Sequence, residues 1–279
     1  MTYFELKKKI EQALAEINAG CADYEAGKII CFAAKISPAL LYARLSEEIP
    51  EDLAFSVDEI IKKRLSHIPL EYITGRADFF GLELDITSDV LIPRADTERV
   101  CEKALALFRH GGRFADICSG SGNIALAVLS RSDTRADLFD VSEKALGVAR
   151  HNAKKLGFEE RTEFYHRDVF SDGFFDGCEK YDVIISNPPY IKSAVIPTLD
   201  IAVQNEPHIA LDGGEDGLDF YRRLLFICRE QLKPEGAIVF EIGYDEGEDI
   251  MKLCGQYGFS CELFRDYGGN IRGCVAKPT

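Results

Sequence analysis

The stretch Phe114-Ala-Asp-Ile-Cys-Ser-Gly-Ser-Gly-Asn-Ile-Ala125 limits the fold of this chain more than any other. A short apolar run leads into two glycines and then an apolar helical start, the order of a buried strand, a tight loop and a helix. From Thr97 onward helical and strand-like periods alternate, the pattern of a mostly parallel sheet with crossover helices. Seven strands are expected, near residues 113–117, 136–139, 163–166, 182–186, 237–242, 260–265 and 273–277. Only Asp266-Tyr-Gly-Gly-Asn-Ile271 separates the last two, too little for a crossover helix, so the final pair is expected to be antiparallel.

Upstream the period differs. Phe4, Ile10, Leu14 and Ile17 predict one helix, Ile29, Ile30, Phe32 and Ala33 a second, Ala39, Leu40, Leu41 and Leu45 a third, and Ile60, Ile61, Leu65 and Ile68 a fourth. Ser37-Pro38 reads as a capped start with proline at the first helical position, and Ser56-Val-Asp-Glu59 as a capping box. Between residues 71 and 93, Tyr72, Ile73, Phe79, Phe80, Leu82, Leu84 and Ile86 surround Gly75 and Gly81 in the manner of a hairpin. The expected organisation is a small helical bundle over 1–70, a linking hairpin over 71–93 and an α/β domain over 94–279.

Composition narrows the class of function. With 279 residues, 46% of them hydrophobic, the chain can bury a large core, and no apolar stretch approaches a membrane span. The amino terminus lacks the apolar segment of a signal peptide, so a cytoplasmic location is expected. A net charge of −14, spread over both halves, argues against a long nucleic-acid footprint and toward a protein partner. Lys62-Lys63-Arg64 is the one cationic run of note and reads as a solvated helix face. The nine cysteines include no C-x-x-C pair and no histidine at ligand spacing, so neither a disulfide framework nor a metal site is expected. No catalytic role falls to His208 or the other four histidines.

Gly120 and Gly122 let a ligand approach the backbone, and the helix that follows offers free N–H groups. Asp140, ending the next strand, suits the two hydroxyls of a ribose, and an adenosine cofactor is implied. Gly120-Ser-Gly122-Asn-Ile-Ala125 also fits the dinucleotide fingerprint, with Asp140 as its acidic partner. Two aspartates favour S-adenosylmethionine instead. Asp116 suits an ammonium group, directly or through water, and would repel a pyrophosphate; Asp168, at the end of the third strand, suits the adenine amino group.

After the apolar run Tyr181-Asp-Val-Ile-Ile-Ser186 comes Asn187-Pro188-Pro189-Tyr190, at the strand edge where open α/β sheets place ligands. Two prolines fix φ and remove two donors, which leaves the Asn187 side chain and the carbonyls of the turn as acceptors. If Asn187 Oδ1 and the Pro188 carbonyl each accept one N–H of a planar NH2 group, its nitrogen is held with the lone pair toward an electrophile. Tyr190 is then placed to pack flat on that group.

With the glycine loop, Asp140 and the Asn187–Tyr190 turn in this order, the chain resembles the class I S-adenosylmethionine methyltransferases that modify amide or amine nitrogens. Ile92-Pro-Arg-Ala-Asp-Thr-Glu98, Phe79-Phe-Gly-Leu82, Glu206-Pro-His-Ile-Ala-Leu-Asp-Gly213, Glu241-Ile-Gly-Tyr244 and Asp266-Tyr-Gly-Gly-Asn-Ile-Arg272 narrow the resemblance to the release factor glutamine N5-methyltransferases of the HemK type. It implies a seven-stranded Rossmann-like methyltransferase sheet behind a helical domain that helps hold the protein substrate. The implied reaction is in-line transfer of a methyl group to the glutamine amide in the Gly-Gly-Gln motif of peptide chain release factors, with S-adenosylhomocysteine as product and no dedicated base. By position, the resemblance assigns Cys118, Ser119, Gly120, Ser121, Gly122, Asp140, Val169 and Asn187 to the cofactor and Asn187, Pro188, Pro189 and Tyr190 to the glutamine. Arg94 and Glu98 would order the loop over the site.

The chain departs from the family pattern at three places: Cys118 stands where glycine is frequent, Ala95 where proline is usual, and Val169 where an aromatic is accommodated. Other substrates for the same pocket are a glutamine of a ribosomal protein, which would share every site residue, and the exocyclic amine of a DNA or RNA base, which the acidic surface disfavours. A catalytically idle binding module is the remaining reading, and an intact Asn187–Tyr190 turn speaks against it.

Overall fold

The computed structural model describes every residue except 19, 109 and 110. Two compact units emerge, one formed by residues 1–75 with 200–205 and the other by 76–199 with 206–279.

The first unit contains α1 (Tyr3–Asn18), α2 (Ala22–Ala34), α3 (Pro38–Ala43), α4 (Glu51–Leu65) and α5 (Leu70–Thr74). On α1 the buried stripe is Tyr3, Leu6, Ile10 and Leu14, which packs with Ala26, Ile29, Ile30, Val57 and Ile61. Each fully buried Leu or Ile contributes about 1.5–3 kcal/mol relative to an exposed one. Phe4, expected on this stripe, is instead half exposed: starting the helix at Tyr3 rotates position 4 about 100° away from the buried face. Phe32 and Leu40 are likewise exposed. Ser37 caps α3 as expected, its Oγ accepting the Leu40 N–H at 3.2 Å ahead of Pro38. The capping box at Ser56–Glu59 is not formed. Those residues lie inside α4, which starts five residues earlier after Pro50 with Glu51 and Asp52 in its first turn, and the Ser56 hydroxyl donates back to the Asp52 carbonyl.

Tyr72 and Ile73, expected in the hairpin, belong to α5, which Gly75 closes at φ +71°. The hairpin is shorter, β1 (Arg76–Phe79) paired antiparallel with β2 (Leu82–Asp85). Its two-residue turn puts both Phe80 (φ +52°) and Gly81 (φ +78°) in the left-handed region, the geometry that matches strand twist.

The remaining elements are α6 (Glu98–Leu105), β3 (Arg113–Ile117), α7 (Asn123–Ser130), β4 (Arg135–Asp140), α8 (Glu143–Lys155), β5 (Thr162–His166), β6 (Tyr181–Ser186), α9 (Ile201–Gln204), α10 (Asp219–Cys228), β7 (Leu232–Glu241), α11 (Gly247–Gln256), β8 (Phe259–Arg265) and β9 (Ile271–Pro278). All but α9 fall in the second unit. The seven-stranded sheet has the order β5-β4-β3-β6-β7-β9-β8. It is parallel from β5 through β7, and β9 inserts antiparallel between β7 and β8. All seven expected strands are present. The largest displacement is in β7, which begins at Leu232 rather than 237, because Leu232 pairs with Tyr181 before a register shift, and Glu235 sits at φ +67°.

Strand order reverses direction at β3, whose neighbours are β4 on one side and β6 on the other. Such a switch point opens a crevice outside the carboxyl ends of the strands. Ile117 lies opposite Phe139 on one side and Ser186 on the other, so the loop after β3 leaves the sheet between Asp140 and Asn187.

Candidate active site

A cavity of about 300 Å³ sits at this crevice, and its wall includes Cys118, Ser119, Gly120, Ser121, Asp140, Asp168, Val169 and Asn187. That is the lower end of the size range of small-molecule sites. No helix of the described residues is long and apolar enough to cross a membrane.

The loop after β3 is held by its neighbours. Ser119 N–H donates to the Phe139 carbonyl at 3.1 Å, and Gly120 N–H to Asp140 Oδ2 at 2.8 Å. Asp140 Oδ1 accepts from Ser142 N–H, so this carboxylate positions the glycine loop while bordering the cavity. Burial raises its pKa, partly offset by those backbone N–H groups. A Cβ added at Gly120 (φ +53°) would meet nothing within 4 Å, the open approach a ligand needs. Gly122 does a different job from the one expected. It does not line the cavity, and a Cβ there would press on Ala149 and Leu138 at 3.2 and 3.3 Å, so its bareness lets α7 pack close to α8 and β4.

Asp116 is fully buried and does not line the cavity, so of the two expected routes to an ammonium group, direct or through water, the structure leaves the one through water. Its Oδ2 accepts the Ala125 N–H at 3.0 Å in the first turn of α7. Burial pushes its pKa up to about 8. Asp116 Oδ1 and Ser119 Oγ are buried atoms without a hydrogen-bond partner among the described residues, unsatisfied groups gathered at the loop.

Cys118 occupies the left-handed region at φ +62°, where glycine is at ease and a side chain costs about 1–2 kcal/mol. Beyond β5, Asp168 is exposed on the wall, with Oδ1 accepting the Phe170 N–H at 2.9 Å. Val169 is buried on the same wall, and its carbonyl accepts from Arg223 Nε at 2.8 Å. The aromatic surface absent from position 169 stands beside it: Phe170 and Phe220, both on the wall, pack edge to face with centroids 5.0 Å apart.

Asn187 and Pro189 line the cavity, whereas Pro188 and Tyr190 do not. The Tyr190 hydroxyl reaches Glu241 Oε1 at the end of β7, 3.3 Å away. Past the turn, Ile191 N–H donates to the Leu211 carbonyl and Gly213 N–H to the Ile191 carbonyl, both at 2.9 Å. A Cβ on Gly213 would stand 2.7 Å from Tyr190 Cα, so backbone meets backbone there.

Two acidic residues with no assigned role prove central. Glu206, nearly fully buried, accepts the Ile92 N–H at 2.9 Å and pairs with Arg94, drawing that segment onto the cavity wall. Glu241 anchors Tyr190. Both stand in segments that carried the resemblance, but no local rule gave them a partner. Arg94 lines the cavity as expected of a loop-ordering residue; Glu98 acts further away, its Oε1 accepting the Phe80 N–H at 2.8 Å in the hairpin turn.

The sequence matches the family described as "Methyltransferase small domain" over residues 73–205 and the "PrmC N-terminal domain" over residues 5–75. The release factor glutamine methyltransferase of Moorella thermoacetica is 36% identical over 97% of this chain and 98% of its own length. That of Bacillus cereus is 38% identical over 84% of each. Among solved structures, a methyltransferase from Pyrococcus furiosus superimposes with a TM-score of 0.56 at 19% identity, covering 77% of this chain and 97% of that one, a likeness of fold. Near-full-length identity of this degree, on a methyltransferase sheet with its cavity at the switch point, places the chain in the release factor glutamine methyltransferase family.

Proposed function

We propose that this protein transfers a methyl group from S-adenosylmethionine to the side-chain amide nitrogen (N5) of the glutamine in the Gly-Gly-Gln motif of peptide chain release factors. One observation carries the reading: Ile117 and Ser186 are opposite each other in β3 and β6, so the glycine loop and the Asn187–Tyr190 turn leave the sheet side by side. A donor held by the first is adjacent to an amide held by the second.

The cavity suits this donor better than a dinucleotide. Asp116 already answers an N–H at the start of α7, the place where a pyrophosphate would be bound, and adds a carboxyl group behind it. Asp140, Asp168 and Val169 border the cavity, which supports a reading in which Asp140 takes the ribose hydroxyls and Asp168 and Val169 the adenine, with Phe170 and Phe220 as apolar wall. The unsatisfied Asp116 Oδ1 and Ser119 Oγ mark where polar groups of a ligand or its water would complete the site.

When bound, S-adenosylmethionine supplies an activated methyl group on a sulfonium. The chain supplies position. Asn187 Oδ1 and the Pro188 carbonyl accept the two amide N–H groups, orienting the nitrogen lone pair, and the prolines keep competing donors out of the turn. The N-alkylated amide is acidic enough to lose its proton to water, so no side chain need act as base. Glu206 and Arg94 hold the wall that shields the reacting groups from bulk water.

The test is incubation with labelled methyl donor and, separately, a full-length release factor, a ribosomal protein and duplex DNA, followed by peptide mass mapping. Label on the Gly-Gly-Gln glutamine is expected. Label confined to the ribosomal protein or the DNA overturns the substrate assignment.

A further inference from the structure

Three cysteines far apart in sequence meet in the second unit: Cys254 on α11, Cys261 on β8 and Cys274 on β9. Their sulfur atoms all lie within 4.8 Å of one another. In the β8–β9 ribbon Cys261 is opposite Ala276 and Cys274 opposite Leu263, so the two thiols are diagonal neighbours on one face, and α11 brings Cys254 to them. Cys254 and Cys274 are fully buried and Cys261 is partly exposed, leaving one edge open to solvent. None of the three lines the active-site cavity, and methyl transfer uses none of them.

We propose that Cys254, Cys261 and Cys274 form a three-coordinate thiolate site for a soft monovalent cation, of the class of Cu(I).

The donor set selects the ion. Three sulfurs converge, and among the described residues no carboxylate or imidazole joins them. Oxygen-seeking cations such as magnesium and calcium find no ligand here. Structural zinc takes four protein ligands, one more than the fold provides. Thiolate softness and low coordination number favour Cu(I). With metal–sulfur bonds of about 2.3 Å, trigonal coordination needs sulfurs about 4 Å apart, so the triangle has less than an ångström to close. The surroundings, including Ile250, Leu253, Phe259 and Leu263, are apolar and keep water and competing ligands away from the buried pair. Binding exchanges thiol protons for the cation: each Cu–S bond formed from a thiol releases one proton to solvent, with no change of oxidation state at copper or sulfur. The usual search for metal ligands by spacing misses such a site, because the thiols are separated by six and twelve residues and only the fold unites them.

The full-length protein, reduced and metal-free, is titrated anaerobically with Cu(I) buffered by a chromogenic chelator, and the ligand set is read by X-ray absorption. One equivalent held by three sulfurs is expected, together with a rise in Tm on loading. Cys261→Ser, at the partly exposed position least able to disturb folding, should lower affinity at least ~100-fold, and Cys274→Ala should do the same, while Cys31→Ser on α2 changes nothing. Apo-protein melting curves establish that each variant is folded. Uptake that Cys261→Ser retains, a two-sulfur spectrum, tighter retention of Zn2+ than of Cu(I), or three inert thiols that bind nothing would each overturn the proposal.

Discussion

The Tyr190 hydroxyl donates to Glu241 Oε1 across 3.3 Å, tying the last residue of the Asn187–Tyr190 turn to the end of the neighbouring strand β7. Glu241 is 2% exposed, and burial pushes its carboxyl up to about 7. The contact fixes the Tyr190 ring behind the turn, and with it the backbone that presents Asn187 and Pro189 to the cavity. Tyr190→Phe is expected to lower turnover about tenfold, the worth of one hydrogen bond to a buried acceptor, with methyl-donor affinity within about twofold. Glu241→Gln keeps an acceptor and should stay within about threefold of the parent, whereas Glu241→Ala should match Tyr190→Phe. Equal turnover in Glu241→Gln and Glu241→Ala would remove Glu241 from any role in positioning Tyr190.

Asn187 lines the cavity, and in the proposed reaction it orients the amide. Asn187→Ala should reduce turnover about a hundredfold and change donor affinity only a few-fold, measured by single-turnover kinetics and calorimetry. Turnover unchanged from the parent would dismiss the two-acceptor mechanism.

Asp116 makes stability depend on pH in a predictable direction. Its folded pKa, near 8, stands above the unfolded value of about 3.9, so between those limits the folded protein binds the extra proton and stability falls as pH rises. Asp116→Asn keeps an acceptor for the Ala125 N–H and removes the titration. In the absence of cofactor, the Tm of Asp116→Asn relative to the parent should therefore climb between about pH 5 and pH 9, by roughly 4 °C or more. A difference independent of pH would show that Asp116 ionises normally.

Cys118 at φ +62° separates backbone demand from side-chain chemistry. Cys118→Gly relaxes the backbone and should leave donor affinity within about threefold. Cys118→Val puts a β-branched residue where it is a strong outlier and should weaken donor binding at least ~10-fold. Similar affinities for both variants would mean that the loop readily adopts another conformation.

Gly213 has no room to grow, because its nearest neighbours are backbone atoms of Tyr190 and the Gly217 carbonyl, at 2.7–2.8 Å from an added Cβ. Gly213→Ala should displace the turn by a few tenths of an ångström to an ångström and lower turnover about a hundredfold, with a smaller loss of donor affinity. Turnover within twofold of the parent would show that the turn is set from elsewhere.

The sequence revealed what is local. Glycine loop, strand-end aspartates and the Asn187–Tyr190 turn each occupy one short segment that its own residues make recognisable, and the strand periods around them locate the seven strands. Contacts between distant segments were hidden. Ile92 and Glu206 are 114 residues apart, Tyr190 and Glu241 51, and no periodicity links either pair. Asp116 precedes the loop, but alternation along β3 turns it away from the wall that Ile117 lines, which local spacing does not reveal. At Ser56 the cap pattern was real in composition and false in place, because Glu51 and Asp52 had already started the helix.

Residues 200–205 group with the first 75 residues, and Asn205 Nδ2 donates to the His67 carbonyl at 3.0 Å. The polypeptide therefore crosses between the two units three times, after Gly75, after Leu199 and after Asn205. A chimaera that grafts only residues 1–75 of a relative onto the second unit would pair a foreign bundle with a native α9 segment, so a graft of the whole first unit requires both pieces to be transplanted together.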